Sequence, residues 1–334
     1  MPTLQAEPAG LIEGSRKLRP WLPDFLIVGA MKCGTSTLRV ALRQHPQVFL
    51  PDAEIFFFDI DDFQQHPDFF AYDGERWTVR DFEDQLEQYL EWYSRFFAGA
   101  RPGQVVGEDS TTYLVSHDAP RRIASLNPDT RVIIMLRDPA SRAYSGYWHL
   151  VRHGRAVLGF EDMLRLCPEA IVTRSYYKQQ IEHYLRHLPR RNLHFVLLEE
   201  YVKSPAAVLG EVCTFLGVQP ELLPAAALDT HDNRGAVPRW PRLQLLRNRL
   251  AWRRESTLFL PHLPAAGGGG TGWQPRRDLA ALADRVHTRL NRSAQAPEPM
   301  RPGTRKFLNA LFERENRGLG ELIGKNLGKY WYRD

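Results

Sequence analysis

The segment "PDFLIVGAMKCGTSTL", residues 23–38, decides the fold. "DFLIVGA" is a short apolar run that ends in glycine, the pattern of a strand buried in a parallel sheet. "STLRVALRQHP" then places apolar residues at helical spacing, with Ser36 or Thr37 as the expected cap. Strand, tight glycine loop and helix, in that order, make a phosphate loop. The nucleoside-triphosphate form of that loop reads G-x-x-x-x-G-K-[ST]. Gly29 and Gly34 keep its glycine spacing, but Thr35 stands at the lysine position and Lys32 lies inside the loop. Successive backbone N–H groups at such a turn, aimed by a helix N-terminus, form an anion nest. Gly29 permits the turn, and Gly34 permits close approach of backbone to phosphate. Thr35, Ser36 and Thr37 add hydroxyl donors, and Lys32 projects toward the terminal end of the bound group. No acidic residue follows an apolar strand in the metal-holding role, since Asp138 is flanked by Arg137 and Pro139 and suits a turn. The loop therefore fits a shorter 5′-anhydride that needs no metal.

Working outward, "QVFLP" reads as a short strand and residues 81–98 as an amphipathic helix. "QVVGEDS" is a further strand end, and "SHDAPRRIASLNP" is a helix stopped by Asn127 and Pro128. "TRVIIMLRD" is a second buried strand, followed by a helix with Pro139 in its first turn. Residues 175–188 are helical, "NLHFVLLEEY" is a third buried strand, and "SPAAVLGEVCTFLGV" is a helix closed by Gly217. Strands alternating with helices predict an α/β fold, a P-loop-like parallel sheet flanked by helices. Residues 229–300, with "AAGGGG" at 265–270, predict a helical, loop-rich insert that is mobile and serves as acceptor wall or lid. Two helical segments over 303–323 complete a helical C-terminal part. Residues 1–20 are expected to be a flexible lead-in to a single domain over 21–334.

A second phosphate grip is legible in "RVIIMLRDPASRAYSGYWH". Arg137 ends a strand and Ser145 lies eight residues on, inside the next helix. A strand-end guanidinium and a helix hydroxyl converge readily on one phosphate. Two grips on neighbouring strands point to a nucleotide phosphorylated at two positions.

With both segments in order, the chain resembles the sulfotransferases that use 3′-phosphoadenosine 5′-phosphosulfate (PAPS), nearest the heparan sulfate and bacterial carbohydrate-type branch. The likeness also takes in "AEIFFFD", "GEDSTTYL", "FVLLEEY" and "RKFLNALFERENRGLGELIGKNL", and so spans most of residues 23–331. The resemblance implies that Lys32, Cys33, Gly34, Thr35, Ser36 and Thr37 hold the 5′-phosphosulfate. It implies that Arg137 and Ser145 hold the 3′-phosphate, with Arg292 of the insert closing over it. Glu54 in "DAEIFFFD" matches the family's general base, and Lys32 would stabilise the leaving phosphate. A local cap or ion pair is the other reading of Glu54. His149 and His45 are rival bases, each with a structural reading beside it. Asp109, Ser110 and Thr112 approach the acceptor or make a polar turn. Trp240, Trp252 and Trp273 stack on an acceptor or bury a small helical lid.

Bulk properties bound the partners. The net charge is +5, from 44 basic and 39 acidic residues among 334, mild enough that no nucleic-acid partner is demanded. Cys33, Cys167 and Cys213 lack metal-ligand spacing and suit a reducing compartment, with Cys33 expected to be accessible. No membrane span or secretory signal is read, which leads to the expectation of a cytoplasmic, bacterial-type enzyme. The expected acceptor is a small molecule, carbohydrate or glycolipid, sulfated at a hydroxyl or amine without a metal. The competing readings are a P-loop kinase using ATP and Mg²⁺, and a nucleotide-binding protein without turnover.

Overall fold

The computed structural model describes residues 22–70, 72, 74–77, 79–229, 237–252, 286–287, 289–293 and 298–332. Five parallel strands form one sheet in the order β2-β3-β1-β4-β5: β1 (Phe25–Gly29), β2 (Val48–Phe49), β3 (Val105–Asp109), β4 (Arg131–Leu136) and β5 (Leu193–Leu197). Every residue of β1 is buried, as a central strand covered on both faces requires. After β1 the chain runs to the edge strand β2, returns to insert β3 between β2 and β1, then crosses to β4 and β5 on the other side. The crevice beyond the carboxyl ends of β1, β3 and β4 is thus the topological switch point, where open α/β sheets bind ligands.

The connecting helices are α1 (Thr35–Arg43), α2 (Leu86–Ser94), α3 (Ala119–Leu126), α4 (Pro139–Arg152), α5 (Phe160–Leu166), α6 (Pro168–Val172), α7 (Tyr177–Leu185), α8 (Leu198–Lys203) and α9 (Pro205–Leu216). Gly217, with φ 72°, closes α9. Four sequence expectations need correction. Helix α1 is capped by Gly34 in the left-handed conformation, and no side chain of Ser36 or Thr37 caps it. Residues 81–85 are turns, tied by the Asp84 N–H to Asp81 Oδ1 (3.0 Å), so α2 begins only at Leu86. The strand in "NLHFVLLEEY" stops at Leu197, and "LEEYVK" is α8. Asp138 is more than a turn residue: it caps α4, accepting from the Ser141 N–H at 2.8 Å.

Beyond α9, β6 (Val237–Pro238) pairs antiparallel with β7 (Arg292–Ser293), and α10 spans Pro241–Trp252. The "AAGGGG" stretch, the side chain of Trp252, all of Trp273 and most of the expected mobile insert lie outside the described residues, as does the lead-in 1–20. Helices α11 (Pro302–Glu315) and α12 (Leu319–Ile323) return to the core. Leu308 and Phe312 of α11 pack in an apolar cluster with Ala140, Ala143 and Tyr147 of α4. The C-terminal tail then locks the β4–α4 junction. Glu199 accepts from the Asp138 N–H (2.8 Å) and from the Trp331 indole (3.2 Å), while Arg305 reaches Asp138 (3.4 Å) and Ser141 Oγ (3.2 Å).

The β1–β3 pairing depends on a missing side chain. Gly107 sits opposite Phe25, and a Cβ there would lie 2.2–2.6 Å from the Phe25 ring. Gly107→Ala is expected to destabilise the fold by about 1–3 kcal/mol in urea denaturation, as overpacking does. Adding Phe25→Val should restore part of that loss. An unchanged midpoint in the single variant would show that the ring does not fill this space.

Candidate active site

The loop between β1 and α1 is built on left-handed residues. Lys32 has φ 71°, Gly34 φ 92°. The left-handed backbone favours glycine at Gly34, and a Cβ there would also press on Leu198 Cδ1 at 2.6 Å and make that side chain shift. At Gly29 (φ 139°) a Cβ would come within 2.8 Å of the Thr111 carbonyl oxygen, so the end of β1 abuts the segment that leaves β3. The first N–H groups of α1, at Thr35, Ser36 and Thr37, have no partner within the helix and present the positive end of its dipole.

Cys33 departs from its sequence reading. Its thiol is wholly buried rather than accessible, lies 3.6 Å from the Tyr177 hydroxyl, and is pushed up to about 11 by burial. Its N–H donates to the Ala30 carbonyl (3.1 Å). Cys33 therefore shapes the loop from beneath and offers its side chain to the core.

Cations converge on this loop. Burial lowers the Lys32 pKa most, Arg152 and Arg137 lower it further, and Glu54 opposes them. Glu54, Arg137 and Arg152 are thus each close enough to act on the Lys32 charge. Among the described residues, Lys32, Arg137 and Arg152 form no ion pair with a carboxylate. Arg137 follows β4, where its carbonyl accepts from Tyr177 (3.0 Å). Ser145, His149 and Arg152 fall at i, i+4 and i+7, one stripe of α4. That spacing is the signal by which Arg152 was readable in sequence and was passed over. Arg174 adds a further charge, still cationic at about 10 after burial lowers it, bonded to Gln65 and reaching Met31 Sδ at 3.8 Å.

Glu54 stands across from these cations. The Thr111 N–H (3.1 Å) and hydroxyl (2.7 Å) both donate to Glu54 Oε1. Among the described residues none donates to Oε2, which leaves one carboxylate oxygen free to take a proton. Asp109 at the end of β3 is buried, and burial first, then the neighbouring Glu54 charge, raises its pKa well above the usual range, against Arg39 at 3.7 Å. Thr112 Oγ1 lies 3.2 Å from His66 Nε2, itself 3.0 Å from Asp59. Thr111, Arg152 and Arg174 carry no motif in the sequence; Thr111 lies among small polar residues in the turn that follows β3.

Of the rival bases, one is tied into the core and the other lies among the cations. His45 is buried at the end of α1, with Nε2 2.9 Å from the Gln219 carbonyl and Nδ1 accepting from Gln47. His149 is held down at about 2, by burial first and then by His153, Lys32, Arg152 and Arg174. So weak a base cannot compete for an acceptor proton. Arg292 lies on β7, and its side chain is outside the described residues. Trp240 is exposed, its ring 4.9 Å from the Arg239 guanidinium.

Residues 22–232 match the family described as the sulfotransferase domain. The chain belongs to the sulfotransferase family. It is 31% identical over 217 residues to human heparan sulfate glucosamine 3-O-sulfotransferase 3A1, covering 63% of this chain and 47% of that one. It is 30% identical over 234 residues to mouse bifunctional heparan sulfate N-deacetylase/N-sulfotransferase 4, covering 64% of this chain and 24% of that one. The chain therefore spans about half the length, or less, of these curated relatives. A solved sulfotransferase from Alicyclobacillus acidocaldarius superposes with a TM-score of 0.60 at 26% identity, over 94% of this chain and 99% of that one. The P-loop-like α/β fold expected from the sequence is the fold of this family. Among the described residues no helix is long and apolar enough to cross a membrane.

The His149 environment sets an acid response. Unfolded, the ring takes a proton near pH 6.5; folded, not until about 2. The unfolded state therefore binds more protons below pH 6.5, and stability falls as pH drops from there, by at most about 1.4 kcal/mol per pH unit. Above pH 6.5 both states are neutral and the residue contributes nothing. His149→Phe should flatten the urea-denaturation midpoint between pH 6.5 and 4.5; an unaltered slope would show that the ring titrates normally.

Proposed function

We propose that the chain transfers a sulfuryl group from PAPS to a hydroxyl or amine of a carbohydrate, glycolipid or small-molecule acceptor. The observation that carries this reading is that Arg137 and Arg152 lie close enough to act on Lys32 of the loop before α1, with no ion pair from any of the three to a carboxylate among the described residues. Fixed positive charge of this density is complementary to an anion with several phosphate or sulfate groups. The donor set fits PAPS: N–H groups and hydroxyls of Thr35, Ser36 and Thr37 for the 5′-phosphosulfate, Arg137 and Ser145 for the 3′-phosphate. Relatives named for acting on heparan sulfate glucosamine make a glucosamine-containing saccharide the first acceptor to test, with both its hydroxyls and its amine as targets.

The chemistry follows from positions already described. The acceptor oxygen or nitrogen attacks sulfur, the bond from sulfur to the 5′-phosphate oxygen breaks, and the electron pair leaves with the bisphosphate nucleotide. Lys32 neutralises charge growing on that leaving oxygen. Glu54 takes the acceptor proton on Oε2 while Thr111 holds Oε1. As in phosphoryl transfer, most of the protein's contribution is positioning and charge neutralisation.

Incubating the chain with PAPS, a glucosamine-containing oligosaccharide and EDTA should yield the bisphosphate nucleotide and an acceptor heavier by one sulfate. Glu54→Gln keeps an oxygen for Thr111 and removes the base, so kcat should fall about 10²–10⁴-fold with bisphosphate affinity unchanged. Lys32→Ala should lower kcat about 10²–10³-fold, more than it weakens bisphosphate binding. A Glu54→Gln enzyme with full kcat would remove Glu54 from the base role, and equal losses of kcat and binding in Lys32→Ala would make the lysine a binding group only.

A further inference from the structure

Glu54 is the residue before a loop whose conformation needs external support. Phe56 is buried with φ 60°, in the left-handed region that a bulky residue adopts only when its surroundings hold it there. The support comes from β3. The Ile55 and Phe56 N–H groups both donate to Ser110 Oγ, at 3.1 and 2.9 Å. A serine hydroxyl has two lone pairs and one proton. With both lone pairs taken by the loop, its proton goes to Glu108 Oε1 at 2.5 Å. Tyr113 repeats the arrangement: its hydroxyl accepts from the Phe58 N–H (3.2 Å) and donates to Glu108 Oε1 (2.6 Å). Tyr93 donates to the other oxygen, Oε2. Glu108 has no exposed surface, and no cation is paired with it among the described residues.

We propose that Glu108 is a positioning residue for Glu54. By accepting the Ser110 and Tyr113 protons it turns both hydroxyls so that their lone pairs grip the 55–58 backbone, and this sets where the Glu54 carboxylate stands. The same strand end delivers Thr111 to Glu54 itself, so one short segment, 108–113, fixes the base from its backbone and from its side chain. A carboxylate is suited to this task because it accepts all three hydroxyls and donates to none of them. The proposal rests on Glu54 being the base.

The test is a double-mutant cycle with PAPS and the glucosamine-containing oligosaccharide as substrates. Ser110→Ala should lower kcat about 10–100-fold, the scale of a small misplacement of a reacting group. The KM for PAPS and the bisphosphate dissociation constant should stay within about twofold, which also reports that the variant is folded. Placed on Glu54→Gln, Ser110→Ala should add less than about twofold, because the group it positions is already gone. Glu108→Ala should match Ser110→Ala, and Glu108→Gln, which still accepts from Ser110 and Tyr113, should recover most of kcat. Losses that multiply in the double variant, or a fully active Ser110→Ala, would overturn the positioning role while leaving the base intact. A fully active Glu54→Gln single variant would instead remove the base, and this role with it.

Discussion

Positive charge that forms no ion pair among the described residues, opposed by the nearby Glu54 carboxylate, is the constraint around which the site is arranged. Lys32 comes from a loop, Arg137 from a strand end and Arg152 from the last turn of a helix, yet they share one small region. Like charges in a partly desolvated site repel one another by kcal/mol amounts. Burial first, and then these neighbouring charges, lower the Lys32 pKa; burial, His153, Lys32 and Arg152 together hold the His149 ring down at about 2. Such a cluster persists because the rest of the fold holds it: Leu198 packs where a Cβ on Gly34 would be, Tyr177 bonds the Arg137 carbonyl, and α11 packs along α4. A bound polyanion would relieve the repulsion. Charge complementarity is therefore one contribution to binding at this site, set against the cost of desolvating the charges.

The sheet order explains how distant segments reach that region. With β1 central, β3 on one side delivers the Glu54 supports and β4 on the other delivers Arg137 and α4. Glu54, the base in the proposed reaction, and the cations thus approach from opposite sides of the switch point. The C-terminal tail, more than 150 residues after Arg137, closes the structure through Trp331, Glu199 and Asp138. Asp138, next to Arg137 in the chain, is in this way held by the last few residues described.

Much of this was legible in the sequence where one residue had one physical use. The β1 run, the two glycines, the displaced lysine and the strand-end arginine each have few alternatives, and the parallel sheet follows from alternation of apolar strands with helices. What stayed hidden depends on partners far away in sequence. Gly34 in place of Ser36 or Thr37 as cap goes with its left-handed backbone, which the spacing of polar residues does not announce. Cys33 is buried because Tyr177 lies over it, 144 residues on. Glu108, buried beneath three hydroxyls and raised to about 7 by that burial, reads in sequence as one more acidic residue before a polar turn. Arg152 was readable from its spacing to Ser145; Thr111 and Arg174 carried no local signal.

The measurement that bears most directly on the two-grip site is calorimetric titration of 3′,5′-bisphosphoadenosine into the chain, in EDTA, with 5′-AMP run alongside. The expected result is that the bisphosphate binds at least about tenfold more tightly, a difference of about 1.4 kcal/mol carried by the 3′-phosphate at Arg137 and Ser145. Equal binding of the two nucleotides, or none of either, would contradict a site built for a nucleotide phosphorylated at both ends.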